Sequence, residues 1–153
     1  MEQTRVIYLD SWVWLEYGLD GTLSDIAEET IHDARDAGGI VSTITLTEVD
    51  YILNREVSSE TADLVTSAIE DFEQIHVVPV TSEIALYASR LRTKYYQRRE
   101  RELSYADAIH LATAVLTDCE TLHTGNSDFE DLDELETIVH RPSSTDSTYD
   151  SNS

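Results

Sequence analysis

Short runs of β-forming residues, three to five long and mostly separated by stretches of helical periodicity, restrict this chain to a layered α/β fold with a mainly parallel sheet. Val6-Ile7-Tyr8-Leu9 is apolar throughout and stops at Asp10, the pattern of a strand buried on both faces. Ile40–Thr43, His76–Val80, Thr121–Thr124 and Thr137–Val139 are the other runs, and Pro79 favours a sheet edge for the third. The spacing predicts helices over Ser24–Ala37, stopped by Gly38-Gly39, and over about 45–54, 59–74, 81–96 and 104–117. Trp12-Val13-Trp14-Leu15 forms a second apolar patch just after Asp10, to which periodicity assigns no element. With 153 residues, 41% of them hydrophobic, the expectation is one domain over 1–140. The polar stretch 141–153 has almost no apolar content and is expected to be a disordered tail.

Composition narrows the function classes. No run of about 18 apolar residues is present, so no membrane span is expected. The first residues carry no basic-then-apolar leader, and Cys119 is the only cysteine, so an intrachain disulfide is impossible. A cytoplasmic location is the expectation. No glycine-rich phosphate loop supports a Rossmann enzyme, and no late lysine supports a phosphoacceptor receiver domain. The formal net charge is -21, and Lys94 is the only lysine. Dense carboxylates with so little lysine look like halophilic surface chemistry, in which molar salt shortens screening to about 3 Å and weakens self-repulsion. Because 31 of the 153 residues are acidic, a carboxylate gains meaning only from its surroundings.

In open α/β sheets, ligand sites lie beyond the carboxyl ends of the strands. That rule selects Asp10 at the end of the first strand, Glu48 in the helix after the second, Asp107 at the start of the 104–117 helix, and Asp128 after the fourth strand. Oxygen donors without cysteine or histidine partners suit Mg2+ or Mn2+. Structural alternatives exist for each. Thr45-Leu46-Thr47-Glu48 and Ser104-Tyr105-Ala106-Asp107 both match or approach a capping box, Asp10 could form a strand-end turn, and Asp128 could be one more solvated acid. Yet Asp10 lies between two apolar stretches and Asp107 among Ala106, Ala108, Ile109 and Leu111. A carboxylate there is costly to bury unless a cation or donors compensate it.

These segments also carry a family resemblance. Tyr8-Leu9-Asp10-Ser11, Thr47-Glu48, the stretch Leu103–Ala114 around Asp107, and Leu122–Phe129 resemble the ordered motifs of PIN domains, with VapC-type toxins the nearest branch. The resemblance spans roughly residues 5–140. It implies an α/β sandwich around a five-stranded parallel sheet, with acids binding Mg2+ or Mn2+ for endoribonuclease chemistry. It also implies a homodimer and an antitoxin partner in a type II toxin–antitoxin pair. Many relatives carry an acid where this chain has Asn126, which leaves Asp128 as the fourth acid and Asn126 as a neutral oxygen donor or water holder.

The expected catalytic and metal-binding set is therefore Asp10, Glu48, Asp107 and Asp128, with Ser11, Thr124 and Asn126 beside them to orient ligands or substrate; for Ser11 and Thr124 the alternative is an ordinary turn or strand-end hydroxyl. His110, one turn after Asp107, is expected to be a partly buried helix histidine with a structural bond, a general-acid role being the alternative, and Cys119 a packing residue. Lys94, Arg98, Arg99 and Arg101, interleaved with Tyr95 and Tyr96, are expected to contact RNA phosphates; complementing a helix end, or receiving an antitoxin segment, are the alternatives. A PIN-like RNA-processing nuclease without an antitoxin, and a non-catalytic PIN-like binding module, are the competing functions.

Overall fold

The computed structural model describes residues 6–98 and 101–142. In chain order it contains β1 (Ile7–Leu9), α1 (Ser11–Gly18), α2 (Ser24–Ala37), β2 (Gly39–Ser42), α3 (Thr43–Glu56), α4 (Ser59–Asp71), β3 (Ile75–Val78), α5 (Ser82–Gln97), α6 (Tyr105–Leu116), β4 (Thr121–Thr124) and β5 (Glu136–Val139). The strands form one sheet in the order β3-β2-β1-β4-β5, and every neighbouring pair is parallel. β3 lies at an edge, as Pro79 requires, because a proline just past the strand has no N–H to give a further neighbour. The tail expected over 141–153 lies, from residue 143 onward, outside the described residues.

Alternation along β1 divides the core. Ile7 and Leu9 pack on one face with Val13, Trp14, Val49, Leu53 and Ile69 from α1, α3 and α4. Tyr8 points to the other face, among Leu91, Tyr95, Ala108 and Leu111 from α5 and α6. A strand so enclosed on both sides reads as a continuous apolar run, and its backbone groups are satisfied by β2 and β4. None of the helices among the described residues is long and apolar enough to cross a membrane.

Two local features depart from the sequence expectation. The Trp12–Leu15 patch is helical and lies within α1, whose N-cap is Asp10 itself. Helix α3 begins at Thr43, because the Ser42 hydroxyl, at the end of β2, accepts from the Ile44 N–H at 3.1 Å. Glu48 therefore lies in the second turn and caps nothing, so the capping-box reading of Thr45–Glu48 does not hold. For Ser104 it holds in part: the serine hydroxyl accepts from the Asp107 N–H at 3.0 Å.

Candidate active site

The register of the central strands builds the site. Leu9 pairs with His123, and the Asp10 N–H donates to the His123 carbonyl at 3.1 Å, which sets Asp10 beside Thr124 at the carboxyl edge. Asp10 is 5% exposed. One of its oxygens accepts from the Ser11 N–H at 2.8 Å, and the other accepts from the Thr124 hydroxyl at 2.6 Å. A buried carboxylate held by two donors is compensated in place and cannot easily turn away.

Glu48 reaches the same edge from α3, with 30% of its side chain exposed. Its Oε1 accepts from the Ser11 hydroxyl and lies 2.8 Å from His110 Nε2. His110 Nε2 also lies 3.4 Å from Asp10 Oδ1, so a single imidazole links two of the expected acids. Burial pushes the Glu48 carboxyl up, but the His110 hydrogen bond and charge, with the Ser11 hydroxyl, bring it below its ordinary value. Burial alone would lower His110; the Asp10 and Glu48 carboxylates, with Asp107, raise it above its ordinary value.

Asp107 enters from the first turn of α6. Burial first, and then the Asp10 charge, push its carboxyl above the ordinary value, against the lowering effects of Ser104 and His110. The negative charge of this edge is therefore under-compensated at Asp107. Asn126 Nδ2 donates to Asp107 Oδ2 at 3.3 Å, and the Asn126 N–H is in turn held by the Thr124 hydroxyl at 3.0 Å. The residue expected as a neutral helper thus touches the acid cluster directly. Asp128 stands at the rim: it is exposed, its N–H donates to Asn126 Oδ1 at 2.9 Å, and its carbonyl accepts from Arg101 at 2.6 Å.

Hard oxygen donors with surplus negative charge fit a divalent cation in their chemistry. Asp10, Glu48 and Asp107 would supply the ligands. Among the described residues no three His, Cys, Asp or Glu side chains are already disposed as a metal-holding group, so the fit rests on donor type and charge.

The basic segment is tied to the loop that follows the site. Lys94 Nζ pairs with Glu134 at 2.5 Å and Asp133 at 3.2 Å, and Arg98 pairs with Asp133 at 2.6 Å. Arg101 donates to the Asp128 and Glu130 carbonyls, each at 2.6 Å. Tyr95, fully buried, donates to Glu134 at 2.7 Å and accepts from the Asp133 N–H at 2.9 Å. Arg99 lies outside the described residues. Cys119 is buried and unpaired, and burial pushes its thiol up to about 11, as suits a packing residue.

Sequence reasoning missed the place of His110. Its structural bond is present, since Tyr8 OH lies 2.6 Å from Nδ1, but the opposite ring nitrogen sits among the acids. The available signal was its position one helical turn after Asp107, on the same side of α6.

Comparison with known proteins bears on the family and the fold. A family model described as PIN domain matches residues 7–135. No functionally curated protein matches the chain in sequence. Among solved structures, the fold is similar to VapC20 of Mycobacterium tuberculosis, a Sarcin-Ricin loop cleaving toxin, at 20% identity and TM-score 0.72, over 89% of this chain and 99% of that one. VapBC2 from Rickettsia felis, solved with a DNA fragment from their promoter, is similar at 15% identity and TM-score 0.71, over 89% and 99%. A toxin–antitoxin complex from Klebsiella pneumoniae gives 22% identity and TM-score 0.64, over 87% and 96%.

Proposed function

The chain belongs to the PIN domain family, and on that premise we propose that it is a divalent-metal-dependent endoribonuclease, the toxin of a type II toxin–antitoxin pair. The observation that carries this reading is the convergence of Asp10, Glu48 and Asp107, from three separate elements, on one edge of the sheet. In this reading they hold Mg2+ or Mn2+ directly or through water, and Asp128 joins them from the rim.

When bound, such a cation lowers the pKa of water and offsets charge developing on the phosphoryl oxygens. The chain's own residues do the rest. Asp10, fixed by Thr124 and the Ser11 N–H, sets the floor of the site. Glu48 is ionised at neutral pH and partly open to solvent, so it can accept a proton from the attacking water. Asn126 orients Asp107 through its amide. RNA phosphate contact is proposed for Arg98, Arg99 and Arg101, in competition with the ion pair that Arg98 makes, whereas the Lys94 ammonium is engaged by Glu134.

An antitoxin protein and a second copy of the chain are the proposed partners. Support comes from structural neighbours solved as toxin–antitoxin complexes, and from exposed apolar side chains such as Tyr17, Leu64, Leu86 and Tyr96. The acidic composition supports activity at high salt in the cytoplasm.

The test is RNA cleavage in concentrated potassium chloride with added Mn2+ or Mg2+, comparing the purified protein with Asp107→Asn. Cleavage that depends on the cation and disappears in the folded variant is expected. Equal activity in both proteins would remove the nuclease reading.

A further inference from the structure

Glu48 rises from the second turn of α3 and caps no helix, so its orientation must be imposed from elsewhere. Two donors meet at its Oε1: the Ser11 hydroxyl and His110 Nε2, the latter at 2.8 Å. Among the described residues no hydrogen bond reaches Oε2. His110 is itself held from behind, where Tyr8 OH lies 2.6 Å from Nδ1 and the two rings meet edge-on at 5.7 Å and 64°. Tyr8 is 0% and His110 1% exposed, so rotating the imidazole would break bonds at both nitrogens where no water can replace them.

The hydrogen pattern follows from this arrangement. In the neutral ring the Tyr8 O–H donates to Nδ1, which places the remaining hydrogen on Nε2, facing Glu48. In the imidazolium, Nδ1–H donates to the tyrosine oxygen and Nε2–H still faces Glu48. Either way Glu48 Oε1 receives an N–H, and Oε2 is left for another partner.

We propose that Tyr8 and His110 form a buried positioning pair that fixes Glu48 with Oε1 occupied and Oε2 presented to the divalent cation. This rests on the metal-dependent reading above. It assigns a role to a residue pair on β1 and α6 that contributes no proposed ligand. Groups that orient a ligand in this way typically change metal affinity roughly 10- to 100-fold when removed.

The experiment titrates the full-length protein with Mn2+ alone in concentrated potassium chloride, following free Mn2+ by electron paramagnetic resonance, with thermal unfolding recorded for every variant. Wild type is expected to bind and Asp107→Asn to lose binding. Tyr8→Phe, which keeps the ring and removes the hydroxyl, is expected to weaken binding roughly 10-fold. His110→Leu should weaken it further, and His110→Gln should recover most of it, because the amide nitrogen can donate to Oε1. In a Glu48→Ala background, Tyr8→Phe should have no further effect, since the group it positions is gone.

Wild-type affinity in Tyr8→Phe, or an equal loss with and without Glu48, would overturn the positioning role while Asp107→Asn still upholds the metal reading. Should Tyr8→Phe not fold, the comparison of His110→Leu with His110→Gln decides, and equal affinities overturn the role. Absence of Mn2+ binding in wild type removes both readings together.

Discussion

The Thr124 hydroxyl donates to Asp10 Oδ2 at 2.6 Å, joining the ends of two adjacent strands through a buried pair of side chains 114 residues apart in sequence. Thr124→Val keeps the shape and removes that donor, leaving a buried carboxylate oxygen unsatisfied. It also removes the acceptor for the Asn126 N–H. Urea unfolding should show a loss of about 1–3 kcal/mol, and metal-dependent cleavage should fall with it. A variant as stable and as active as wild type would show that Asp10 needs no support from β4.

Asp107→Asn should separate stability from activity. Burial and the Asp10 charge raise the Asp107 carboxyl above its ordinary value, so without a bound cation the folded state holds that proton more tightly than the unfolded state does. The sign follows from linkage. Stability from this group is complete below the unfolded value, falls as pH rises through the folded value, and stays lower at neutral pH. The amide variant lacks this pH-dependent loss. Its melting temperature at pH 7, in chelator, should exceed that of wild type, with each kcal/mol of relief read as about 2–4 °C in a domain of this size. Cleavage should be abolished. A lower melting temperature in the variant would contradict the under-compensated charge proposed for this edge.

What the sequence discloses follows how local each determinant is. β1 and Asp10 are legible because a doubly buried strand must be apolar throughout and must end where polarity returns. Asp107 is legible through Ser104, whose hydroxyl caps the third residue of α6. The start of α3 is misplaced because Ser42, Thr43, Thr45 and Thr47 are all plausible caps, and only the end of β2 selects the first. His110 with Glu48, 62 residues apart, and Lys94 with Glu134, 40 apart, are side-chain pairings that leave no periodicity to read. The same holds for the basic cluster. Scarcity of lysine and arginine suggests phosphate binding, whereas the fold provides Asp133 and Glu134 as partners within reach.

Tyr95 should act as a tie between α5 and the loop leading to β5, accepting from the Asp133 N–H and donating to Glu134. Tyr95→Phe leaves both partners short of a bond and should cost about 1–3 kcal/mol in chemical unfolding. Burial, followed by the Glu134 side chain and charge, raises the phenol from 10.0 to about 12, despite the lowering contribution of the Asp133 backbone. The unfolded chain therefore loses the proton first, and wild-type stability falls as pH rises from 10.0 toward about 12. Tyr8, raised in the same direction, remains in both proteins, so the difference between their alkaline limbs isolates Tyr95. Parallel limbs would remove this assignment.

Lys94 offers the sharpest test of how so acidic a protein holds RNA. Its ammonium is engaged by Glu134, whose side chain is only 10% exposed. Lys94→Ala should therefore reduce stability by about 1–2 kcal/mol, between the values for exposed and buried pairs. A lysine that neutralises one phosphate of a single strand contributes about 0.7 to the slope of log affinity against log salt. Because the structure commits Lys94 to Glu134, that slope should be unchanged in Lys94→Ala, measured with a catalytically inactive Asp107→Asn background on single-stranded RNA. A slope smaller by about 0.7 would show instead that the ion pair opens and Lys94 contacts a phosphate.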